Sequence, residues 1–533
     1  MPSSDCFPID VVPGQSRLFL DYCAAAPAVR PFYPSLPRET GWQQRCPRPD
    51  HWSEIVDILA TQNPSASAPI AALRAGAATV LTGQQVGLFG GPLYTPFKAA
   101  TALARARQAT NAGQPHAAIF WLATEDHDFA EINHVVFPSR KELRKLVYSK
   151  SPAAPVPAGG VVIDEAIEPL VDQAWELLGA SDAMDALVAA YKPGRTFGQA
   201  FADFYSRAFA DQGLLILDAS SAEIHRLGSP VLKAAIERGD ELHAALLDRN
   251  KALEAAGYHV QVAVTSESSL LFLLDERTGA RLSLKRTSSS TAEPQGLWQA
   301  GRDRFTTADL LGILAAEPHR ISPAALLRPI FQDYLLGTSL IIGGPAEIAY
   351  FAQSAVLYER ILGRTTAAEP RLSATLIEPA IAELLHKHDL GIDRIFRESA
   401  DSLAQILAAR AMPVEGKQKL SSAGNALDAE LQPLLDYMRA MDPGLGRSAE
   451  TAASKMRYQM NRLRRLAANF EMQREGSLRR HADAIERALN PGGVLQERVH
   501  GAAYYLARYG FELNETLTGL ASDPCPGHKA VWL

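Results

Sequence analysis

The feature that most constrains the fold is a pattern met twice in close succession, a short apolar run that stops abruptly in a polar turn. "AATVLTGQQ" is the first case and "HAAIFWLATEDHD" the second, and between them "GGPLYTPFKAATALARARQATNAG" reads as a helix closed by Gly113. Apolar runs without alternation are how strands buried on both faces read. Strand, helix and strand make a βαβ unit, whose crossover is right-handed and whose strand ends point to one side. Gly83 to Gln85 and Glu125 to Asp128 are therefore expected together at the carboxyl edge of a parallel sheet. In open α/β sheets that edge binds ligands.

The pattern recurs. "GLLILDAS" (213–220) is a third candidate strand, and "GTSLIIGGPAEIAYFAQSAVLYERILG" is again strand, glycine turn and helix. Between these, "VVFPSRKELRKLVYS" alternates like a hairpin, and "HVQVAVTSESSLLFLLDERTGARLSLKR" alternates around a turn at "DERTG". The expected architecture is an α/β doubly wound parallel sheet over 76–379, interrupted by insertions near 140–195 and 258–325. Residues 1–75, with Pro-rich punctuation, read as an N-terminal arm packing on the core, and 491–533 as a C-terminal segment returning to it. From about residue 380 to 490 the chain reads as helix. Leu427, Leu431, Leu434 and Met438 form one seam, and Met456, Met460, Leu463, Ala467 and Phe470 another, joined through the turn "DPGLG" as an antiparallel hairpin. Leu478, Ala482, Ile485 and Leu489 resume the seam out of phase, which reads as a stutter near Arg474. Two core helices of a bundle and a coiled-coil dimerisation arm are both compatible with so short a seam.

At 533 residues the chain needs more than one ordinary core, and 47% hydrophobic with 21% charged residues is the balance of a soluble globular protein. Net charge is −6, so no whole-molecule attraction to nucleic acid or an anionic membrane is expected. Cys6, Cys23, Cys46 and Cys525 show no C-x-x-C spacing, which argues against a zinc ribbon, a redox pair or a disulfide framework and fits a reducing cytoplasm. The N-terminus lacks the basic segment and apolar region of a secretory signal, so no export is expected. The most hydrophobic long window is broken by two Gly, Pro345 and Glu347, so no membrane span is expected.

The crowded turn "TEDHDFAEINH" admits three readings. His127 and His134 with Asp126, Asp128 or Glu131 supply metal donors, but at no established ligand spacing. Carboxylates there could instead hold an ammonium or sugar hydroxyls while His127 donates a bond or moves a proton. The bland reading is a solvated loop whose acids cap the next helix. Substrate recognition ranks first, because ionisable clusters at a cleft are biased toward function, and metal last. In "TGQQVGLFGGPLYTPFK" the glycines suit either backbone approach to an anion at a helix start or a tight structural turn, with Gln84, Gln85, Tyr94 and Lys98 alongside. In "GGPAEIAYF" Glu347 could cap its helix or reach the cleft beside Gly344. The basic residues between Lys455 and Arg480 interleave with acids and read as a solvated helix face in preference to an RNA-binding stripe. His386, His388 and His528 read as surface or capping residues.

Five blocks in register, "LTGQQVGLFGGPLYTPFKAA", "FWLATEDHDFAEINHV", "RPIFQDYLLGTSLIIGGPAEIAYFAQ", "PRLSATLIEP" and "LQERVHGAAYYLARYG", resemble the BshC family, the "putative cysteine ligase" of bacillithiol biosynthesis. The resemblance implies a Rossmann-like core related to class I aminoacyl-tRNA synthetases, connective insertions, and a C-terminal α-helical coiled coil that makes a homodimer. It also implies the reaction, an amide bond between L-cysteine and the amine of glucosaminyl-malate, with ATP as co-substrate. "LYTPF" and "RLSAT" stand where the two adenylation motifs of those synthetases would be, and both depart from them. Tyr94 and Phe97 replace histidines and Ala374 replaces a lysine, while Arg371 can still neutralise phosphate.

On this layout Gly83, Gln84, Gln85 and Tyr94 line the first turn and hold substrate together with Glu125, Gly344 and Glu347. Asp126, His127 and Asp128 bind an amine and help deprotonate it, with Tyr94 in the same catalytic group. Lys98, Arg371, Ser373 and Thr375 take anionic groups, whether phosphate or malate carboxylates. No resident metal, nucleic-acid partner or membrane contact is expected, and the location expected is the cytoplasm. Two other classes stay open: a metal-dependent hydrolase of an N-acyl sugar, and a non-catalytic coiled-coil scaffold for thiol biosynthesis.

Overall fold

The computed structural model describes residues 3–33, 36, 41–43, 48–286, 297–523 and 525–533. The chain divides into two compact units, one made of Met1–Ser139, Leu143–Thr375 and Glu497–Val531, the other of Arg140–Glu142, Leu376–Gln496 and Trp532–Leu533.

The first unit is built on five parallel strands: β1 (Ala78–Gln84), β2 (His116–Leu122), β3 (Leu215–Asp218), β4 (Thr338–Gly343) and β5 (Ala367–Pro370). Their spatial order is β5-β4-β1-β2-β3. Every residue of β2 and β4 is buried, so these strands present apolar side chains to both faces and cannot lie at a solvated surface. The chain runs outward from β1 through β2 to β3, then returns to place β4 on the other side of β1. The strand order therefore reverses between β1 and β4, and a crevice opens there at the carboxyl ends.

Three helices position the site. α1 (Tyr94–Asn111) follows β1, carries Pro96 in its first turn, and is alanine-rich where it packs closely on β1 and β2. α2 (Arg328–Leu336) leads into β4, and its C-terminus is set by Gly337 in the left-handed region at φ 53°. α3 (Pro345–Leu362) leaves β4 with Pro345 in its first turn and with Glu347 accepting from the Gly344 N–H at 2.7 Å. The insertions are an antiparallel pair, His134–Pro138 with Leu143–Val147, followed by helices, and a five-stranded antiparallel sheet within residues 268–323. Residues 287–296 of the second insertion lie outside the described residues. After the helical region the chain re-enters this unit at Glu497, and its helix Glu512–Ser522 packs on α1.

The cysteine expectation is corrected here. Cys6 and Cys525 form a disulfide across 519 residues of sequence, while Cys23 is free and Cys46 lies outside the described residues. Spacing rules read local frameworks. This bond joins the two ends of the chain, where the strand Ser3–Phe7 pairs with the strand His528–Trp532, and nothing local in the sequence foretells it.

In the second unit α4 (Val414–Met441) and α5 (Pro443–Arg474) form the antiparallel hairpin, turned at Asp442, whose side chain caps α5 by accepting from Gly444 and Leu445. Leu431, Leu435 and Ala453 make its small core, with Leu427 and Ala449 against it. Leu427 and Leu431 of the first seam do pack in this core, but at its next step Leu435 is buried where Leu434, at 51% exposed, faces away. Met456, Leu463 and Phe470 are exposed, at 48%, 54% and 62%, so the second seam does not close this hairpin. The phase change read as a stutter is a break at Glu475 and Gly476 between α5 and α6 (Ser477–Leu489), and α6 buries all four of its seam residues.

Candidate active site

A cavity of about 280 Å³ sits at the β1/β4 switch point, walled entirely by residues of the first unit. β1 delivers Gly83, Gln84 and Gln85 to it. The turn after β2 delivers Asp126 and Glu131, and the start of α1 delivers Tyr94 and Lys98. The glutamine loop and the acidic turn do meet. The Gln85 amide nitrogen donates to Asp126 Oδ2 and to Glu131 Oε2, both at 2.9 Å, because neighbouring parallel strands end at one level. Burial would raise the Asp126 carboxyl, but the Gln85 hydrogen bond and the Arg328 and Arg281 guanidinium groups outweigh it and hold the group below the ordinary carboxylate value. Asp126 is therefore a fixed negative charge and a weak base.

Glu125, Asp126, His127 and Asp128 do not act as one cluster. Glu125 turns to the fully buried His225, whose Nε2 lies 2.6 Å from Glu125 Oε1 and whose Nδ1 faces Ile321 O at 2.9 Å. Burial disfavours a charged His225, yet Glu125 overrides it and raises the imidazole pKa, so the Glu125 carboxylate is engaged inside the protein. His127 lies against Phe272 with ring centres 5.4 Å apart, and its Nδ1 is 3.4 Å from Arg281 Nη1. Asp128 accepts from the Glu131 N–H at 3.3 Å and caps the four-residue helix Phe129–Ile132. None of these three lines the cavity.

The glycine loop is a structural turn at Phe89, Gly90 and Gly91, with φ values of 49°, 84° and 69°. A Cβ on Gly90 would stand 2.6 Å from Phe204 Cε1. Two tyrosines stake the loop: Tyr191 donates to Gly87 O at 3.0 Å and accepts from the Gly90 N–H at 3.1 Å, and Tyr205 donates to Gly90 O at 2.7 Å. Tyr94, whose hydroxyl is pushed up by burial and so stays protonated, accepts from Gln84 at 3.4 Å.

Lys98 and Glu347 are a pair, Nζ to Oε2 at 2.5 Å, with Nζ also donating to Gly83 O at 2.7 Å. Burial lowers the Lys98 pKa and Glu347 opposes the shift. Glu347 thus both caps α3 and reaches the cleft wall, and two of the three ammonium donors of Lys98 are already committed.

Guanidinium groups line the same cavity. Arg371 lines the cavity 5.2 Å from the Tyr94 ring centre, and its Nη2 bonds Glu497 Oε1 at 2.7 Å. Arg328, hydrogen-bonded to Tyr350, and Arg498 complete the set. Ser373 and Thr375 do not reach the cavity. Their hydroxyls are 2.8 and 2.9 Å from Nδ1 and Nε2 of His528, which is wholly buried and not the surface or capping residue that the sequence suggests. Burial depresses His528 to about 4, so it is neutral at pH 7.

The sequence reading passed over Arg328, Gln332 and Arg498, which line the cavity, and Arg281 and Glu497, which act on the lining residues Asp126 and Arg371. Arg328 and Gln332 precede β4 on α2, so a reading confined to the turn after each strand passes over them. Arg498 arrives from beyond the helical region. Among the described residues no group of three or more His, Cys, Asp or Glu is placed to hold a metal ion, and no helix is long and apolar enough to cross a membrane.

A parallel sheet with a cavity at its switch point, lined by both carboxylate and guanidinium groups, defines a Rossmann-like α/β protein. Comparison with known families gives the particular one. The description "Bacillithiol biosynthesis BshC, N-terminal Rossmann-like domain" matches residues 5–371, and "Bacillithiol biosynthesis BshC, C-terminal coiled-coil domain" matches residues 374–532, so the chain belongs to the BshC family. Relatives named "Putative cysteine ligase BshC" include proteins of Koribacter versatilis (40% identical, covering 99% of each chain) and Solibacter usitatus (33%, covering 98% of each). One from Geobacillus kaustophilus is 30% identical over 85% of this chain and 84% of its own.

Proposed function

We propose that this chain is a carbon–nitrogen ligase of bacillithiol biosynthesis that joins the carboxyl of L-cysteine to the amine of glucosaminyl-malate, with ATP as the activating co-substrate. The observation that carries the reading is the presence of both signs of charge within one cavity. Asp126 and Glu131, bridged by Gln85, suit an ammonium or amine, and Arg328, Arg371 and Arg498 suit carboxylate or phosphate. Both substrates carry an amine and at least one carboxylate, so a site of mixed sign is what they require.

Asp126 holds the amine by charge and by hydrogen bonding and does not itself remove its proton, because its carboxyl is held acidic. His127 bears on the reaction through its neighbour, with Nδ1 3.9 Å from Asp126 Oδ1. Tyr94, kept protonated, supplies a neutral donor at the α1 end of the cavity. ATP would supply the activation of the cysteine carboxyl, and Arg371 and Arg498 are the residues able to take its phosphates. The location that fits this role is the cytoplasm. The exposed stripe Met456, Leu463 and Phe470 on α5 supports a homodimer through the coiled coil.

The test is incubation of the purified chain with glucosaminyl-malate, L-cysteine and ATP, followed by mass detection. The expected result is the cysteinyl amide with AMP or ADP in equal amount. Absence of amide with all three present would reject the reading.

A further inference from the structure

The pair formed by Arg371 and Glu497 is built differently from the other ion pairs at this site. Both side chains are almost wholly buried, at 3% and 2% exposure. Both oxygens of Glu497 are engaged: Oε1 takes the guanidinium at 2.7 Å and Oε2 the Ala374 N–H at 3.0 Å, with the Ser373 hydroxyl 3.4 and 3.5 Å from the two. Burial would raise its carboxyl, but Arg371 and the Ala374 N–H hold it below the ordinary range. Arg371 is not saturated. Nη1 donates to Leu372 O at 2.7 Å and Nη2 to Glu497, while the Nε–H is buried and makes no hydrogen bond. A buried guanidinium donor without an acceptor costs free energy, so Arg371 stands at the cavity wall with hydrogen-bonding capacity unused.

Gly344 stands next to Arg371. Gly344 lines the same cavity, and a Cβ built on it would stand 3.8 Å from Arg371 Nε and 3.4 Å from Glu347 Oε2. Its φ of −75° and ψ of 172° are open to any residue. The glycine is thus not required by the backbone, and a side chain there would come into contact with both Arg371 and Glu347.

We propose that Glu497 is a positioning residue that orients Arg371 at the cavity wall, so that its guanidinium, beside Gly344, receives an anionic group of a substrate. The segment following the helical region thereby completes a site otherwise made by the parallel sheet. The proposal rests on the ligase reading only for the choice of probes. The anionic group is a carboxylate of the acceptor, the carboxylate of cysteine, or a phosphate of the nucleotide, and the experiment separates them.

L-Malate, L-cysteine and ATP are titrated calorimetrically, one at a time, into the full-length wild type and into Glu497→Gln, Glu497→Asp and Gly344→Ala, with a thermal melt of each. The expected result is that Glu497→Gln and Gly344→Ala weaken the same probe by about tenfold or more, that Glu497→Asp weakens it less, and that the other probes stay within about twofold. The affected probe names the anionic group. Equal weakening of all three by Glu497→Gln would reduce Glu497 to a structural role and overturn the proposal. So would binding within about twofold throughout, or no binding of any probe to the wild type. If Glu497→Gln does not fold, Glu497→Asp and Gly344→Ala decide, since both keep a carboxylate at 497. Failure of the ligase reading would be seen separately, as absence of amide product while these affinity shifts persist.

Discussion

Asp126 and His127 are adjacent in sequence but stand in different surroundings, and that difference predicts different kinetic fates. Asp126 lines the cavity as a stabilised carboxylate, whereas His127 is propped between Phe272 and Arg281. Asp126→Asn removes the cavity charge proposed to hold the amine and should lower kcat/KM for the acceptor by about 100-fold, while His127→Ala should cost less than about tenfold. Steady-state rates with the acceptor varied would show this order, and a larger loss for His127→Ala would reverse the assignment. His528 makes a second prediction. Its pKa is lowered by burial from the ordinary 6.5 to about 4, so between those values the unfolded chain binds a proton that the folded chain refuses. Its contribution is complete above about pH 6.5 and fades as pH falls toward 4. His528→Asn should therefore flatten the fall of melting temperature over that window. An unchanged pH profile in the variant would count against it.

At the scale of elements, the strand ends were legible because strands buried on both faces leave unbroken apolar runs, as in β2, and each run stops at the residue where the site begins. What the runs could not convey is direction. Once β2 ends, the chain sends Glu125 toward His225, Asp126 into the cavity and His127 toward Phe272, and only the packed neighbours decide which. Ser373 and Thr375 show the same limit: their hydroxyls suit an anion, but His528, far along the chain, occupies them. The hairpin carries its own prediction. Leu463 and Phe470 are exposed on α5 while Leu431 and Leu435 are buried between the helices. Leu463→Glu with Phe470→Glu should leave the monomer folded and shift the mass measured by light scattering from dimer to monomer. A wild type that is already monomeric would contradict the dimer.

For the whole molecule, the site is assembled from residues between Leu81 and Arg498, and this spread explains what the sequence withheld. The βαβ unit could be read from one contiguous stretch, and it placed Gln85 against Asp126. The rest of the lining depends on strand order, which puts β4 beside β1, and on a chain that returns at Glu497 after the helical region. Neither is a local property, and the Cys6–Cys525 bond between the chain ends is missed for the same reason. The account stands on one cavity receiving both substrates. A crystal structure of the chain soaked with L-cysteine and glucosaminyl-malate tests that most directly. It should show the acceptor amine within about 3 Å of Asp126 or Glu131 and an anionic group against Arg371. Substrates bound away from the β1/β4 crevice would contradict it.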